Sequence, residues 1–287
     1  MKKHNSQRGF VLILTLLVLV IVALAAGYFS ERVSRSVELA ERSNQNVSAM
    51  IDMASTRAEI LYRLSTTSMT EYGLGRGGSL IQLDNRPYSG SGDTLLRVQD
   101  DRGLLNLNAS EDDRLQRLLG MLGIAADQRP HLIDTLRDYI DSDDLHRLNG
   151  AEKAEYLALN LPPPPNRNLA TPWEAHAIIG WRTAPQLWQN ARLVELTTTG
   201  VATGINPNTA PMEILVTLPG FTDDLAQRVI AQRVQLPFTD ARQLSALTGI
   251  PKASFEDIAS FIPSNSVRIT QSSQALAWAV LTVELGC

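Results

Sequence analysis

The 287-residue chain contains a single cysteine, Cys287, at its last position, and its four histidines share no metal-ligand spacing: His4, His131, His146 and His176. These counts exclude an intrachain disulfide and argue against a cysteine or histidine metal centre. The sequence also lacks a Gly-x-Ser-x-Gly nucleophile elbow, a phosphate-binding Gly-Lys-Ser/Thr loop and a dinucleotide-binding glycine fingerprint. We therefore expect a protein that is not an enzyme.

Net charge is small. The formal charge is -4, with 20% charged and 44% hydrophobic residues. This composition is that of a globular protein with room for one or two cores. It provides no general electrostatic attraction to nucleic acid.

Charge is completely absent from residues 10–29, an apolar run that follows Lys2, Lys3 and Arg8. As a helix, twenty residues span roughly 30 Å, about the thickness of a bilayer core. Basic residues before the run predict a cytoplasmic N-terminus and an external remainder, which in a bacterium is the periplasm. Hydropathy alone is equally consistent with a simple signal anchor.

The residues that open the run are Gly9 and Phe10. A secretory signal peptide is cut after its apolar core, whereas here the small residue precedes the core. The sequence Gly9-Phe10 followed by Val11–Thr15 resembles the class III leader of type IV pilins and type II secretion pseudopilins. The resemblance implies that a prepilin peptidase cuts between Gly9 and Phe10 and methylates Phe10, leaving the helix on the product.

Leu14 occupies mature position five, where most members of this family carry glutamate. A carboxylate in hydrocarbon is costly unless it is paired, and in the family it pairs with the amine of the subunit ahead. The resemblance therefore implies that Leu14 marks the filament tip, which has no subunit ahead of it. The large size and the missing glutamate both resemble the minor pseudopilin K family of type II secretion systems.

Helical periodicity continues beyond the membrane run, and neither proline nor glycine interrupts Tyr28 to Met69. Apolar residues recur at spacings of three and four, at Val33, Val37, Ala40, Val47, Met50, Ile51, Ala54, Ala58, Leu61 and Leu64. We expect one helix of about sixty residues from Phe10, roughly 90 Å long, whose upper half packs under a globular head. A separate coiled coil is the alternative, although sustained heptads are missing.

Strand signals lie at both ends of the remaining sequence, at Ser79–Leu83, Leu95–Val98, Leu104–Leu107, Val267–Thr270 and Ala277–Glu284, with a turn at Asp101–Gly103. The predicted class is α+β: a pilin-like long helix packed on a small antiparallel sheet, with a large all-helical, helix-hairpin-helix or SAM-like insertion. The expected divisions are a leader at 1–9, an assembly helix at 10–29, a head at 30–107 and 264–287, and an inserted domain at 108–263.

The insertion contains Leu218-Pro219-Gly220-Phe221, which resembles the turn of a helix-hairpin-helix; 247–251 and 122–124 resemble degenerate copies. Such hairpins often bind DNA phosphates through backbone amides. Here Asp223 and Asp224 follow the turn and complement the dipole of the next helix instead. We expect a packing role, no nucleic-acid partner, and a solvated face carrying Arg228, Arg233 and Arg242.

A carboxylate cluster consists of Asp138, Asp141, Asp143 and Asp144. Calcium prefers several oxygen ligands from a flexible loop, so the cluster is a candidate calcium site. The segment Tyr139-Ile140-Asp141 also resembles a pattern of the K-type family, whose relatives can bind calcium. Helix capping followed by a solvated turn remains the alternative.

The resulting hypothesis is a minor pseudopilin, anchored in the bacterial inner membrane by a single span, with its head in the periplasm. It would cap the pseudopilus tip and help initiate its assembly. The implied partners are the other minor pseudopilins, the prepilin peptidase, and the secretion channel or cargo. Two alternatives remain: a minor pilin of a type IV pilus, and a membrane-anchored helix-hairpin-helix protein that binds DNA.

Overall fold

The computed structural model describes residues 7–200, 202–275 and 279–284. Its longest element is α1 (Gln7–Thr66), a helix of 60 residues, which corresponds to about 90 Å. From Val11 onward this helix is long and apolar enough to cross a membrane. The predicted long helix is confirmed. Gly9 and Phe10 lie in its first turn, whereas residues 1–6 of the predicted leader lie outside the described part.

The head packs on one side of α1, through Ala49, Met53, Thr56, Ile60 and Leu64. These residues recur at intervals of three or four, so they form one face of the helix. Most of the apolar series expected to pack under the head is exposed instead; Leu64 alone is buried and Leu61 is partly buried. The prediction of the packing face was wrong because the helix has two apolar faces, and periodicity alone does not say which one meets the head.

The strands are, in chain order, β1 (Met69–Thr70), β2 (Gly73–Leu74), β3 (Asp84–Ser89), β4 (Leu95–Asp100), β5 (Leu105–Asn106), β6 (Thr197–Thr198), β7 (Ser266–Ser272) and β8 (Ala279–Glu284). The main sheet is antiparallel throughout, in the order β3-β4-β7-β8. β1 pairs with β2 in a small antiparallel ribbon. The predicted small antiparallel sheet behind a long helix is therefore confirmed.

Two strand predictions need correction. Ser79–Leu83 does not form a strand. Ser79 ends a 3-10 turn, and Ile81 forms only an isolated bridge with Leu74. The side chains of Ile81 and Leu83 are instead buried in the core. The strand lies later, at β3. Of Leu104–Leu107, only Leu105 and Asn106 form a strand, β5, and it pairs in parallel with β6 outside the main sheet. Asp101–Gly103 is a 3-10 turn that leads away from β4.

Short helices fill the chain between β5 and β7: α2 (Asp112–Met121), α3 (Arg129–Ile140), α4 (Lys153–Ala158), α5 (Pro185–Trp188), α6 (Arg192–Leu196), α7 (Met212–Leu215), α8 (Asp223–Gln235) and α9 (Ala241–Thr248). They share a core that includes Leu105, Leu136, Trp181 and Phe255. A second core lies between α1 and the main sheet and includes Ile60, Val98 and Ile269. The helical lobe already contains Leu105 and Leu107, just before the expected start of the insertion at residue 108.

Candidate functional site

The side of α1 that faces away from the head carries an apolar stripe, which Asn44 interrupts between Ala40 and Val47. At 3.6 residues per turn, its members fall on one face, roughly half a turn from Met53 and Ile60. The stripe consists of Phe29, Val33, Val37, Ala40, Val47, Ile51, Ala54, Ala58 and Tyr62. Val33 and Ile51 are each 60% exposed and Tyr62 is 69% exposed. We call these nine residues the outer stripe.

Four charged residues below the head lie on the opposite side of α1. Ion pairs join Glu31 to Arg35 and Glu38 to Arg42, each four residues apart. By the same periodicity these four residues lie on the side that continues down from the packed face. The outer stripe is thus an exposed, mostly apolar surface of α1 that extends from the end of the apolar run at Phe29 to Tyr62. Leu14, the predicted tip marker, lies lower, in the exposed apolar stretch of the helix.

The helix-hairpin-helix is formed by α7 and α8. Gly220 in its turn has a φ of +76°, which favours glycine, and a β-carbon there would lie 3.2 Å from the Ile250 side chain, a tight contact. The turn amides are used locally: Phe221 N donates to the Leu218 carbonyl at 3.2 Å, and Leu225 N donates to Thr222 Oγ1 at 3.3 Å. The hairpin therefore serves packing, and the exposed carboxylates of the following helix lie at its mouth.

Arg233 departs from the expected solvated face. It is only 7% exposed and donates to the carbonyls of Pro207 (2.9 Å) and Ala210 (2.6 Å). Its guanidinium also pairs with Asp84 at the start of β3, at 3.6 Å. Arg233 is thus a buried tie between the helical lobe and the sheet. Arg228 and Arg242 are exposed, as expected.

A second buried tie is Asp100, at the end of β4. Its carboxylate accepts hydrogen bonds from Ser264 N (2.8 Å) and Oγ (2.7 Å), Asn206 Nδ2 (3.1 Å), Thr209 Oγ1 (2.9 Å) and Arg102 N (3.2 Å). Arg102 lies where the chain leaves the sheet after β4, and Ser264 lies just before it returns in β7. Asn206 and Thr209 belong to the helical lobe between them. On β7, Arg268 adds bonds to the carbonyls of Val194 (2.5 Å) and Thr197 (2.6 Å). The two lobes are therefore joined by buried polar contacts.

The predicted aspartates separate into two groups. Asp138 and Asp141 converge with Glu152, each offering a carboxylate oxygen within 4.8 Å of the others. Asp143 instead accepts from Leu145 N at 2.9 Å, and Asp144 accepts from Asn166 at 3.2 Å. Glu152, which sequence reasoning missed, follows the Asp138 segment by fourteen residues. A negative residue placed before a short helix is typical of a helix cap, and Glu152 does form a capping box with Glu155 at the start of α4, so the sequence contained no signal for a site.

The electrostatics of this cluster are unfavourable without a cation. Asp138 is fully buried and Glu152 is 4% exposed. Both Glu152 oxygens and Asp141 Oδ1 lack a hydrogen bond of normal geometry among the described residues, although the Glu152 side chain faces the Glu155 backbone in a capping box. Burial, together with the nearby Asp138 and Asp141, raises the pKa of Glu152 to about 7. Burial likewise raises the pKa values of Asp138 and Asp141. We call these three residues the acidic cluster.

The backbone of Gly150 packs directly against the acidic cluster. A β-carbon at this position would lie 1.8 Å from Asp138 Oδ2, so the backbone approaches the carboxylate as only glycine allows. Arg147 N donates to both Asp138 oxygens, at 3.2 and 3.1 Å. Hard oxygen donors, buried and incompletely satisfied, are suited to calcium. The residues present therefore fit such an ion.

Comparison with known proteins shows which families the chain is similar to. The family model described as "Type II secretion system (T2SS), protein K" matches residues 95–192, and the "Helix-hairpin-helix motif" model matches residues 200–263. A curated relative, "Type II secretion system protein K" of Klebsiella pneumoniae, is 27% identical over 171 residues. The match covers 54% of this chain and 52% of the relative, so the chain spans about half the length of that relative.

A chain of the crystal structure of the GspK-GspI-GspJ complex from the enterotoxigenic Escherichia coli type 2 secretion system is similar in fold. The TM-score is 0.56 at 20% identity, over 84% of this chain and 97% of that one. The solved structure and the helix-hairpin-helix match confirm the fold class predicted from the sequence. The family model and the curated relative bear out the predicted resemblance to the type II secretion protein K family.

Proposed function

We propose that this protein K relative caps the tip of a periplasmic pseudopilus and helps to initiate its assembly. The observation that carries the proposal is the outer stripe, which leaves nine small or apolar residues of α1 uncovered while the head packs on the other side. A sister helix packed along the stripe would remove it from water. Full burial of one exposed valine or isoleucine contributes about 1.5 kcal/mol or more.

The helical lobe beside the sheet supports the proposed capping role. The helical lobe has its own core and is held to the sheet through Asp100, Arg233 and Arg268, so a subunit added above would have to displace a rigid structure. Leu14 supports the same position, because it offers no carboxylate to a subunit ahead.

Similarity suggests the partners. The solved relative comes from a complex of GspK, GspI and GspJ, and we propose that other minor pseudopilins pack with this chain. A prepilin peptidase would cut between Gly9 and Phe10. The apolar helix would anchor the precursor in the inner membrane with its N-terminus in the cytoplasm and its head in the periplasm, where the secretion channel or cargo could contact it.

Mass spectrometry of the mature N-terminus tests the class of protein. We expect a chain that begins with N-methylated Phe10. An intact Met1, or a cut beyond residue 25, would contradict the proposal.

Deletion of the gene separates secretion from the type IV pilus alternative. Loss of exported proteins with pilus-mediated attachment intact supports a role in secretion. Loss of attachment with export intact supports a role in a pilus.

The DNA-binding alternative predicts affinity for duplex DNA that weakens as salt increases. The internal use of the hairpin amides and the carboxylates at its mouth argue against it. Titration of the full chain in detergent with a labelled duplex should therefore give no salt-dependent binding.

We also propose that the acidic cluster holds calcium. Glu152 supports this proposal, because a buried carboxylate without a hydrogen bond of normal geometry is costly unless a cation neutralises it. Asp138, Asp141 and Glu152 would be the protein ligands, and the ion would supply the positive charge that the cluster lacks. The ion would stabilise the loop at 141–150, which leads from α3 to α4.

A further inference from the structure

The two edges of the main sheet are built differently. On β3, the outer edge carries Pro87, a register irregularity between Asp84 and Pro87, and a side-chain ion pair between Asp84 and Arg86. Proline, bulges and charge are the means by which natural proteins prevent an edge strand from pairing with another chain. The β3 edge is therefore protected.

The outer edge of β8 has neither proline nor a register irregularity, and its one charged residue is Glu284 at the end of the strand. Its register with β7 is unbroken from Ser266↔Glu284 to Gln271↔Ala279. The sequence Ala-Val-Leu-Thr-Val-Glu contains no proline, lysine or arginine. Among the described residues, no strand pairs with the other side of β8. An unprotected edge of this kind is a template for strand addition.

The direction of the β8 backbone groups follows from the ladder. Gly90 N donates to the Thr94 carbonyl at 2.7 Å, and Asp100 N donates to the Leu83 carbonyl at 2.9 Å. Because antiparallel bonding alternates along a strand, the even-numbered residues of β4 bond toward β3 and the odd-numbered ones toward β7. Arg97, for example, bonds toward its partner on β7.

The same alternation continues across β7. Arg97 pairs with Thr270, so Thr270 bonds toward β4 and its neighbour Ile269 bonds toward β8, where it pairs with Leu281. The backbone groups of Leu281 and Val283 therefore bond to β7. Val280 and Thr282 direct their N–H and C=O groups to the outer edge.

The core face is also incompletely covered at this edge. Leu281 lies opposite Ile269, and the two share a face of the sheet, yet Ile269 is 1% exposed and Leu281 is 36% exposed. On the other face Val280 is 46% exposed. A further strand beside β8 would cover both side chains.

We propose that β8 accepts an extended strand from the head of a sister pseudopilin, which extends the main sheet by one strand. This inference rests on the proposed function, which requires sister subunits next to this head. Because residues 280–283 carry no charge, the fitting strand is uncharged and alternates apolar side chains. A second copy of this chain is a less suitable occupant, because a filament tip holds one capping subunit.

The test uses the full chain in detergent, mixed with the purified I-type and J-type minor pseudopilins of the same secretion system. The double variant Val280→Pro/Thr282→Pro removes two outward donors and no bond of the β7–β8 ladder. Loss of two or more intermolecular hydrogen bonds should weaken the complex by about tenfold or more. The matched control is Ser89→Pro, which removes an outward donor from the protected β3 edge and should leave affinity unchanged.

Hydrogen exchange provides a readout that does not depend on a variant. In the free chain, the amides of Leu281 and Val283 should exchange slowly and those of Val280 and Thr282 rapidly. In the complex, Val280 and Thr282 should become protected as well. Side-chain contact without strand addition would not produce this alternation.

Each outcome has a distinct meaning. If the wild-type chain forms no complex with the sister subunits, the proposed function fails. If it forms the complex but Val280 and Thr282 stay unprotected, and the double proline variant binds equally well, only the edge inference fails. Protection of these amides in the chain alone, together with a homodimer, would assign the edge to a second copy and overturn the inference.

Discussion

At the scale of single residues, Asp100 has the most demanding environment. It is fully buried, and its carboxylate is the acceptor for donors from three segments that are far apart in sequence. Burial raises its pKa, while hydrogen bonds from Ser264 and Thr209 oppose that shift. Asp100 therefore stabilises the fold by accepting hydrogen bonds from buried donors where the two lobes meet.

Asp100→Ala should lower the free energy of unfolding by about 3 kcal/mol or more, because several buried donors lose their acceptor at once. Urea unfolding of the full chain in detergent, followed by tryptophan fluorescence, measures the change. The matched control is Asp127→Ala, an exposed aspartate, which should change stability by less than about 0.5 kcal/mol. Equal effects of the two substitutions would show that the Asp100 contacts do not join the lobes.

Glu152 should make the stability of the folded protein depend on pH. Its folded-state pKa is about 7, against an ordinary value of 4.5. A raised carboxylate pKa favours folding at low pH, and this contribution is lost as pH rises from 4.5 toward 7, by roughly 3 kcal/mol in total. Calcium should reverse the loss by neutralising the ionised cluster.

Melting temperatures in EDTA and in calcium measure this effect. The gap between the two should be small near about pH 5 and large near about pH 8, where the cluster is ionised. Glu152→Gln should close most of the gap and stabilise the calcium-free protein at the higher pH. Asp143→Asn is the control, because Asp143 lies outside the acidic cluster, and it should keep the gap. A calcium effect unchanged by Glu152→Gln would place the ion elsewhere.

At the scale of elements, α1 serves two surfaces with one sequence. Ile60 is 1% exposed on the packed face, and Ile51 is 60% exposed on the outer stripe. The same residue type on the same helix therefore provides a matched pair. Core truncation removes transfer energy and leaves a cavity, whereas truncation of an exposed side chain removes neither.

Ile60→Ala should destabilise the head by about 2–5 kcal/mol, whereas Ile51→Ala should change stability by less than about 0.5 kcal/mol. In assembly the order should reverse, and Ile51→Ala should reduce cross-linking to sister pseudopilins in membranes. Urea unfolding and site-specific cross-linking provide the two readouts. Normal assembly of Ile51→Ala, and of a variant that also carries Val33→Ala, would mean that the outer stripe is not the contact surface.

The elements also show how far sequence reasoning can go. The long helix, the strands at both ends of the head and the hairpin around Gly220 were predictable, because each depends on local periodicity or on a turn residue. The packed face of α1 was not, since both faces are apolar. The burial of Arg233 depends on carbonyls more than twenty residues away and on Asp84, more than a hundred residues away. The parallel pairing of β5 with β6 joins residues nearly a hundred apart, and no local pattern encodes either contact.

The same limit applied to the acidic cluster. Asp138 and Asp141 were predicted from their proximity in sequence, but Glu152 joins them only because the loop at 141–150 turns back on itself. Asp143 and Asp144 are local in sequence and point elsewhere. Proximity in sequence identified the segment, and tertiary structure selected the side chains.

At the scale of the whole molecule, the arrangement of parts determines the proposed role. A helix with an outer apolar stripe is suited to joining a bundle on one side. A head whose second lobe is fixed by buried polar ties is suited to ending that bundle rather than continuing it. Both properties are needed, because a stripe without the lobe would allow growth in both directions.

The position of the chain in assembled pseudopili tests this role most directly. A gold label attached to an exposed site on the helical lobe, at Asp127→Cys, can be located by electron microscopy of pseudopili sheared from cells. We expect labels at one end of each filament and none along the shaft. Labels distributed along the shaft, or filaments that extend beyond the labelled subunit, would contradict a capping role.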